Sequence, residues 1–377
     1  MFAPKNKSKR KIILVSMYYP PDKNGMAVYA HKIHHHLLEV GWSVRVIVRR
    51  RPGRRGSRYI QEVNVPSVIL GEWADGELGQ DFRTYSLKFS KGVYELLTPG
   101  EQIIHYLACW DDHILVYSAL ARGLNGKAKI LLTIGGGGQR PPGELSSFRA
   151  KVLNKIDVIT VFSHNIQANL IEAGVSNNKV VFIPPSVDLD KFPFREDRKH
   201  KVLRIIYVGR IDRMKGIFDI LKVAKFLRHE PLEFYLIGEG PDKGLVKKKI
   251  YTNKCTNISL LPSVNHEDVP RILRDADIFL HPTYDDEFPS SLLEALASGL
   301  PCISTPVGEI PEIIKNDING FLVSPGNIKG ISNAILALQD FQKRTAFSRA
   351  ARRIAEKYSD DIIIPKLLRI YSRLNFL

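Results

Sequence analysis

A chain of 377 residues is too long for one ordinary core and suits two domains, and 44% hydrophobic with 25% charged residues is the composition of a globular protein. The absence of any run of about 18 apolar residues excludes a transmembrane helix, and three widely spaced cysteines, Cys109, Cys255 and Cys302, exclude a disulfide framework or zinc motif and fit a reducing cytoplasm. The net charge of +16 is concentrated, since residues 1–60 hold 14 Lys/Arg against 2 Asp/Glu.

The basic start from Lys5 to Lys11 leads into the short run Ile12–Val15 and then Tyr19-Pro20-Pro21, which reads as a first strand and not as a signal peptide. Further strands are expected at 43–49, 62–70, 102–108, 127–134, 158–163 and 180–183, with helices at 26–40, 83–97, 112–122 and 145–154 between them. Within this half, Arg45, Arg49, Arg50, Arg51, Arg54, Arg55 and Arg58 form a dense block. It can meet anionic lipid headgroups, nucleic acid or a phosphorylated substrate, or it can be a solvated face; no nucleic-acid motif with recognisable spacing accompanies it.

From Pro184 to His200 the chain is rich in Pro and charge without clear periodicity, as an interdomain linker is. A second series follows, with strands at 203–209, 233–238, 258–262, 277–282, 301–306 and 320–325. Helices fit 217–228, 241–252, 267–276, 290–297, 310–315 and 328–338. Six βα units over about 140 residues predict a Rossmann-like domain. The organisation is α/β: residues 1–188 as a first Rossmann-like domain, 189–200 as linker, 201–345 as a second, and 346–377 as helices, broken at Pro365, returning to brace the first.

The chemistry gathers on the second series. Asp286 and Glu294 stand eight positions apart around Phe288-Pro289-Ser290-Ser291, at the start of a helix whose free amides favour anionic oxygen. Ionised Glu294 is an acceptor suited to sugar hydroxyls. After the strand at 203, Gly209-Arg210…Lys215-Gly216 can bring a guanidinium and an ammonium toward one anion if the loop curls over the strand end, as a departing diphosphate needs, or can be an ordinary basic βα turn. Gly238-Glu239-Gly240-Pro241 and Val307-Gly308-Glu309 add glycine-rich turns on the same edge.

These motifs, in this order and spacing from Arg204 to Asn327, resemble the second domain of the retaining GT-B glycosyltransferases of family 4. The resemblance implies a GT-B fold, two Rossmann-like domains facing each other across a cleft, and transfer of a sugar from a nucleotide diphosphate sugar without a metal or other cofactor. It implies that Glu294 holds the ribose hydroxyls and that Asp286, one methylene shorter than the family's usual Glu, contacts the transferred sugar. Arg210 and Lys215 would stabilise the leaving diphosphate, and Gly25, Gly209, Gly238, Phe288, Pro289, Ser290 and Ser291 would line the donor site.

Two departures stand in the first domain. Asn24 replaces the first of a glycine pair in Tyr19–Gly25, where tolerance of left-handed backbone would preserve the loop. No histidine follows Leu132-Thr133-Ile134, where many members carry one; Gly135 to Gly138 stand there, and His113 and His164 are weaker substitutes. His31 and His35 have metal-like spacing but read as plain helix surface. Asp111-Asp112 and Asp285-Asp286 are acid pairs of the metal-binding kind, but the resemblance implies no bound metal and Arg210 with Lys215 already supplies positive charge. The stripe Phe82, Tyr85, Phe89 and Val93 reads as core-facing.

The expected partners are the nucleotide sugar, a glycan or lipid-linked acceptor and an anionic membrane surface met by the basic N-terminal region, with no nucleic acid and a cytoplasmic, peripheral location. A catalytically silent sugar-nucleotide-binding protein and a nucleic-acid-binding protein stand as the rival readings.

Overall fold

Strands covered on both faces need unbroken apolar runs, and the chain supplies them at Ile12–Val15, Ile130–Leu132 and Ile278–Leu280, all buried. The computed structural model describes residues 10–16, 18–20, 22–49, 68–70, 103–108, 128–135, 147–196 and 200–376. The chain divides into two compact units, residues 1–183 with 364–377, and residues 184–363.

The first unit holds strands β1 (Lys11–Ser16), β2 (Ser43–Arg49), β3 (Val68–Leu70), β4 (Ile103–Ala108), β5 (Lys129–Ile134), β6 (Val158–Val161) and β7 (Val180–Phe182). They pair in parallel in the order β3-β2-β1-β4-β5-β6-β7. Leu14 lies in register with Val46 on one side and His105 on the other. The helices described here are α1 (Gly25–Glu39), α2 (Ser147–Leu153) and α3 (His164–Glu172). Asn24 is extended, at φ −137°, and its Oδ1 accepts the Ala27 N–H at 2.9 Å. This corrects the expectation of a left-handed Asn24: the residue serves as the N-cap of α1, for which its side-chain oxygen is what matters.

The second unit runs β8 (Leu203–Val208), α4 (Ile217–Phe226), β9 (Leu232–Ile237), α5 (Lys243–Thr252), β10 (Ile258–Leu261), α6 (Val269–Arg274), β11 (Ile278–His281) and α7 (Ser290–Ala297). It continues with β12 (Cys302–Ser304), α8 (Ile310–Ile313), β13 (Gly320–Leu322), α9 (Ile328–Ala337) and α10 (Phe341–Glu356), followed by α11 (Asp360–Phe376). Its parallel sheet has the order β10-β9-β8-β11-β12-β13, the doubly wound arrangement that reverses between β8 and β11. Loops leaving the C-terminal ends of β8 and β11 therefore diverge and leave room for a ligand between them.

Residues 189–196 lie in this second unit, with Phe192 buried, and Val187 bridges to Ser359. The C-terminal helices break there and not at Pro365. Val187 N–H bonds the Tyr358 carbonyl at 2.9 Å and Asp360 N–H bonds the Val187 carbonyl at 3.0 Å, which interrupts the helix between α10 and α11. Pro365 sits inside α11. Residues 364–376 belong to the first unit, where the Tyr371 hydroxyl meets His105 Nδ1 at 2.7 Å. The same imidazole reaches Thr133 through Nε2 at 2.6 Å, and Thr133 reaches Thr160 at 2.6 Å. Burial depresses the His105 pKa to about 3, so this buried chain of hydrogen bonds carries a neutral ring.

The expected helices at 83–97 and 112–122, the Phe82–Val93 stripe, the arginines from Arg50 to Arg58, Cys109, Asp111, Asp112, His113 and Gly136 to Gly138 lie outside the described residues. Cys255 and Cys302 are free thiols.

Candidate functional site

Four loops leave the C-terminal edge of the second sheet and lock together. The loop after β8 is held to the loop after β9 by Ile211 N–H to the Glu239 carbonyl, 2.9 Å, and by Arg213 N–H to Asp242 Oδ2, 2.8 Å. On its other side, Tyr284 N–H and the Thr283 hydroxyl donate to the Met214 carbonyl at 2.7 and 3.1 Å. The loop after β12 joins through Glu309 N–H to the Glu287 carbonyl, 2.8 Å, and Thr305 Oγ1 to the Thr283 carbonyl, 2.6 Å. Two glycines make this closeness possible. Gly216, at φ +71°, and Gly308, at φ +52°, approach the Pro282 and Asp286 carbonyl oxygens so closely that a Cβ at either would overlap them. The glycine pattern thus serves loop against loop, a role the sequence reading did not assign it.

Lys215 and Asp286 come together as the heart of the edge. Lys215 Nζ lies 2.8 Å from Asp286 Oδ2 and 2.7 Å from the Asp285 carbonyl, with side-chain exposures of 26% and 18% for Lys215 and Asp286. The same Oδ2 is 3.1 Å from Nε2 of His281, the last residue of β11. Burial pushes the Asp286 carboxyl up, but the His281 hydrogen bond and the Lys215 charge outweigh it and hold the group below the ordinary carboxylate value. Facing a carboxylate, His281 Nε2 is the donor. Its Nδ1 is buried without a partner among the described residues, and the Tyr207 ring stacks on it at 6.0 Å and 10°. His281 carried no assigned role in the sequence; its signal was a histidine in the expected strand at 277–282, at the end of an apolar run and five residues before the acid.

The α7 terminus stands beside this cluster in sequence. Pro289 is its N-cap and offers no side-chain acceptor, so the Ser290 and Ser291 amides begin the helix with the polarity that favours an anion. Phe288 is buried with its ring 5.5 Å from Tyr358, and Pro289 is buried too; both shape the turn, whereas Ser290 and Ser291 keep partial exposure. One turn along α7, Glu294 Oε1 bonds His266 Nε2 at 2.8 Å, a partner not foreseen from sequence.

Arg210 does not converge with Lys215 on Asp286. Its side chain is 65% exposed and its Nε pairs with Asp212 at 3.2 Å, while its carbonyl accepts from the Tyr207 hydroxyl at 2.6 Å. Gly209 lies against the Tyr207 ring and Gly238 against the Gly209 carbonyl. Gly25 opens α1 in the first unit, and Gly135 packs beneath Met26 and Phe162. His164 opens α3 with its ring stacked on Phe182 at 4.0 Å. His31 and His35 face each other, Nε2 to Nε2, at 3.0 Å, and no group of three or more metal-capable side chains occurs among the described residues.

Two parallel doubly wound sheets, with a cation, a carboxylate and a helix start at the switch point of the second, define the class of GT-B glycosyl transfer proteins. Both halves of the chain match glycosyltransferase families. The family description Glycosyl transferases group 1 matches residues 188–354, and Glycosyltransferase Family 4 matches residues 23–191. It is similar to the UDP-Gal:alpha-D-GlcNAc-diphosphoundecaprenol alpha-1,3-galactosyltransferase of Escherichia coli, 27% identical over 222 residues. That match covers 55% of this chain and 57% of the relative, so the chain spans little more than half of that enzyme. It is also similar to the N-acetyl-alpha-D-glucosaminyl L-malate synthase of Bacillus anthracis, 24% identical over 93% of this chain and 94% of the relative. Among solved structures, Anabaena HepE in complex with UDP and glucose shares the fold, with a TM-score of 0.77 at 16% identity, covering 97% of this chain and all of that one. No helix among the described residues is long and apolar enough to cross a membrane.

Proposed function

We propose that this protein transfers a sugar from a nucleoside diphosphate sugar to an acceptor hydroxyl with retention of configuration and without a metal ion. The observation that carries the reading is the Lys215–Asp286 pair, 2.8 Å apart, beside the start of α7 at the switch point of the second sheet.

A diphosphate seated against the Ser290 and Ser291 amides would draw Lys215 as counter-charge and Arg210 as a second one, its exposed guanidinium leaving Asp212. As the bond from the sugar's anomeric carbon to the diphosphate oxygen breaks, negative charge grows on that oxygen, where these donors act. The acceptor oxygen forms the new bond on the same face of the sugar, and its proton passes to the departing diphosphate. Asp286, kept ionised, accepts hydrogen bonds from the transferred sugar's hydroxyls, and Glu294, oriented by His266, accepts those of the ribose.

The UDP-Gal donor named for the Escherichia coli relative and the UDP in the HepE complex favour a uridine diphosphate donor for first trial. The same relative, together with the basic residues 1–60, supports an acceptor of the cell envelope, glycan or lipid-linked, met by a cytoplasmic chain at an anionic membrane surface. The test is thermal shift and nucleotide release with a panel of uridine and guanosine diphosphate sugars. A donor at a hundred times its Kd stabilises the protein by about 2.7 kcal/mol, several degrees in Tm. Stabilisation with nucleotide release supports transfer, stabilisation with no turnover under any acceptor condition favours a silent binding protein, and no response to any donor refutes the reading.

A further inference from the structure

Helix α5 turns Val246 and Ile250 toward the core of the second unit and the rest of its surface outward. From Lys243 to His266 the chain holds five lysines, one histidine and not one Asp or Glu. Lys243 pairs with Glu239 at 2.5 Å, and Lys249 leans over the Phe218 ring at 5.9 Å. Lys247, Lys248 and Lys254 are exposed and form no ion pair among the described residues. Tyr251 rises between them, three and four residues after Lys248 and Lys247, with 87% of its surface exposed, and Leu245 flanks it at 42%.

An exposed phenol among unpaired ammonium groups matches one kind of partner. Tyrosine rings settle at the headgroup level of a bilayer, with the hydroxyl wet and the ring in contact with acyl chains, and lysines are drawn to anionic headgroups. Tyr251 is the one aromatic residue from Lys243 to Lys254, whereas a nucleic-acid strand is held by successive aromatic side chains that stack on its bases. Its position fits as well. A crossover helix runs antiparallel to its strands, so Tyr251 and Lys254 lie toward the N-terminal edge of the sheet, away from the loops that bear Lys215 and Asp286. A surface held there leaves the candidate site open.

We propose that the outer face of α5, through Lys247, Lys248, Tyr251 and Lys254, docks on an anionic lipid surface, as a contact separate from the basic N-terminal block and independent of the donor chemistry. The test uses the full chain with vesicles of phosphatidylcholine alone or mixed with phosphatidylglycerol. The parent chain should bind the mixed vesicles, and the double variant Lys247→Glu/Lys248→Glu should bind them about 25-fold more weakly or worse, at about fivefold for each lysine. Tyr251→Ser should lose several-fold at low and high salt alike, because the ring's contribution is not screened. In Tyr251→Trp, the added tryptophan emission should shift to the blue with mixed vesicles and stay unmoved with phosphatidylcholine. Vesicle binding unchanged in both the lysine and the Tyr251→Ser variants, or no emission shift, overturns the proposal. Tighter binding of single-stranded DNA than of vesicles, lost in the same lysine variant, would assign the face to nucleic acid and overturn it too. All these variants should keep Lys215-dependent donor turnover, so a failure here leaves the proposed transfer standing and the reverse also holds.

Discussion

Replacing Lys215 by Met keeps the length of the side chain and removes its charge, which separates fold from chemistry at one atom. In the resting protein Nζ holds Asp286 Oδ2 at 2.8 Å and the Asp285 carbonyl at 2.7 Å in a site about three-quarters buried. Hydrogen bonds to charged groups contribute about 1.5–3 kcal/mol, and His281 remains to satisfy Asp286, so the second unit should lose about that much. At two to four degrees per kcal/mol for a unit of this size, Tm should fall by about 3–12 °C, leaving a folded protein at room temperature. Turnover should fall further. One donor aimed at developing negative charge is worth about 10²–10³ in rate, and nucleotide release from a uridine diphosphate sugar reads it directly. The variant also carries a pH signature. Asp286 has a lowered pKa in the folded state, so its stabilisation is present above the unfolded value near 4 and disappears as pH falls through the lower folded value. Without Lys215 the folded pKa rises, the stabilisation shrinks, and the acid limb of the stability profile moves to higher pH. A folded Lys215→Met protein with turnover within twofold of the parent would refute the leaving-group assignment.

Exchanging His281 for Phe preserves the stack with Tyr207 and deletes the donor to Asp286, so turnover should drop about tenfold while donor affinity changes little; an unchanged kcat would mean that the imidazole only packs. Glu294→Gln keeps the size of the side chain and weakens its acceptors, and the donor KM should rise about tenfold by steady-state kinetics; a KM within twofold of the parent would remove the ribose role. Gly308→Ala places a methyl group on the Asp286 carbonyl at a positive φ, and thermal unfolding should show a loss of about 2 kcal/mol or more, whereas an unshifted Tm would contradict the interlocked-loop description. Tyr371→Phe strands the buried Nδ1 of His105 and should cost about 1–3 kcal/mol, with a neutral result placing the hydrogen-bond chain outside the stability of the first unit.

The strands were readable because a parallel strand buried on both faces writes itself as a continuous apolar run; Ile278–Leu280 and Ile12–Val15 are such runs. Helix α7 was readable to the residue, since Pro289 precedes it and Gly299 follows its end. What escaped were relations between distant residues. The break between α10 and α11 is set by Val187, far away in sequence, whereas Pro365, the local signal, is tolerated inside the helix. Nothing local tied His266 to Glu294, since their 28-residue separation closes only when the loop after β10 reaches α7. The pairing of Arg210 with Asp212 joins i,i+2 neighbours, but sequence cannot weigh that nearby carboxylate against the other anions a guanidinium can hold. Asn24 shows the same limit in miniature, because left-handed tolerance and N-capping are both properties of asparagine and only the backbone angle chooses between them.

The Tyr371–His105 bond has a consequence for the order in which the chain is built. Residues 184–363 form one uninterrupted unit, while the first unit needs both residues up to 183 and residues 364–376. At the usual pace of synthesis, the intervening 180 residues take about 10–35 s to emerge. Throughout that interval His105 and Thr133 have emerged while the tyrosine that completes their hydrogen-bond chain does not yet exist. The second unit can therefore mature first although it is translated later, and the first unit must wait as a nearly finished sheet. A released chain truncated before residue 364 should resist proteolysis in residues 184–363 and yield in the first unit, which makes the docking of residues 364–376 the closing step of that unit's folding.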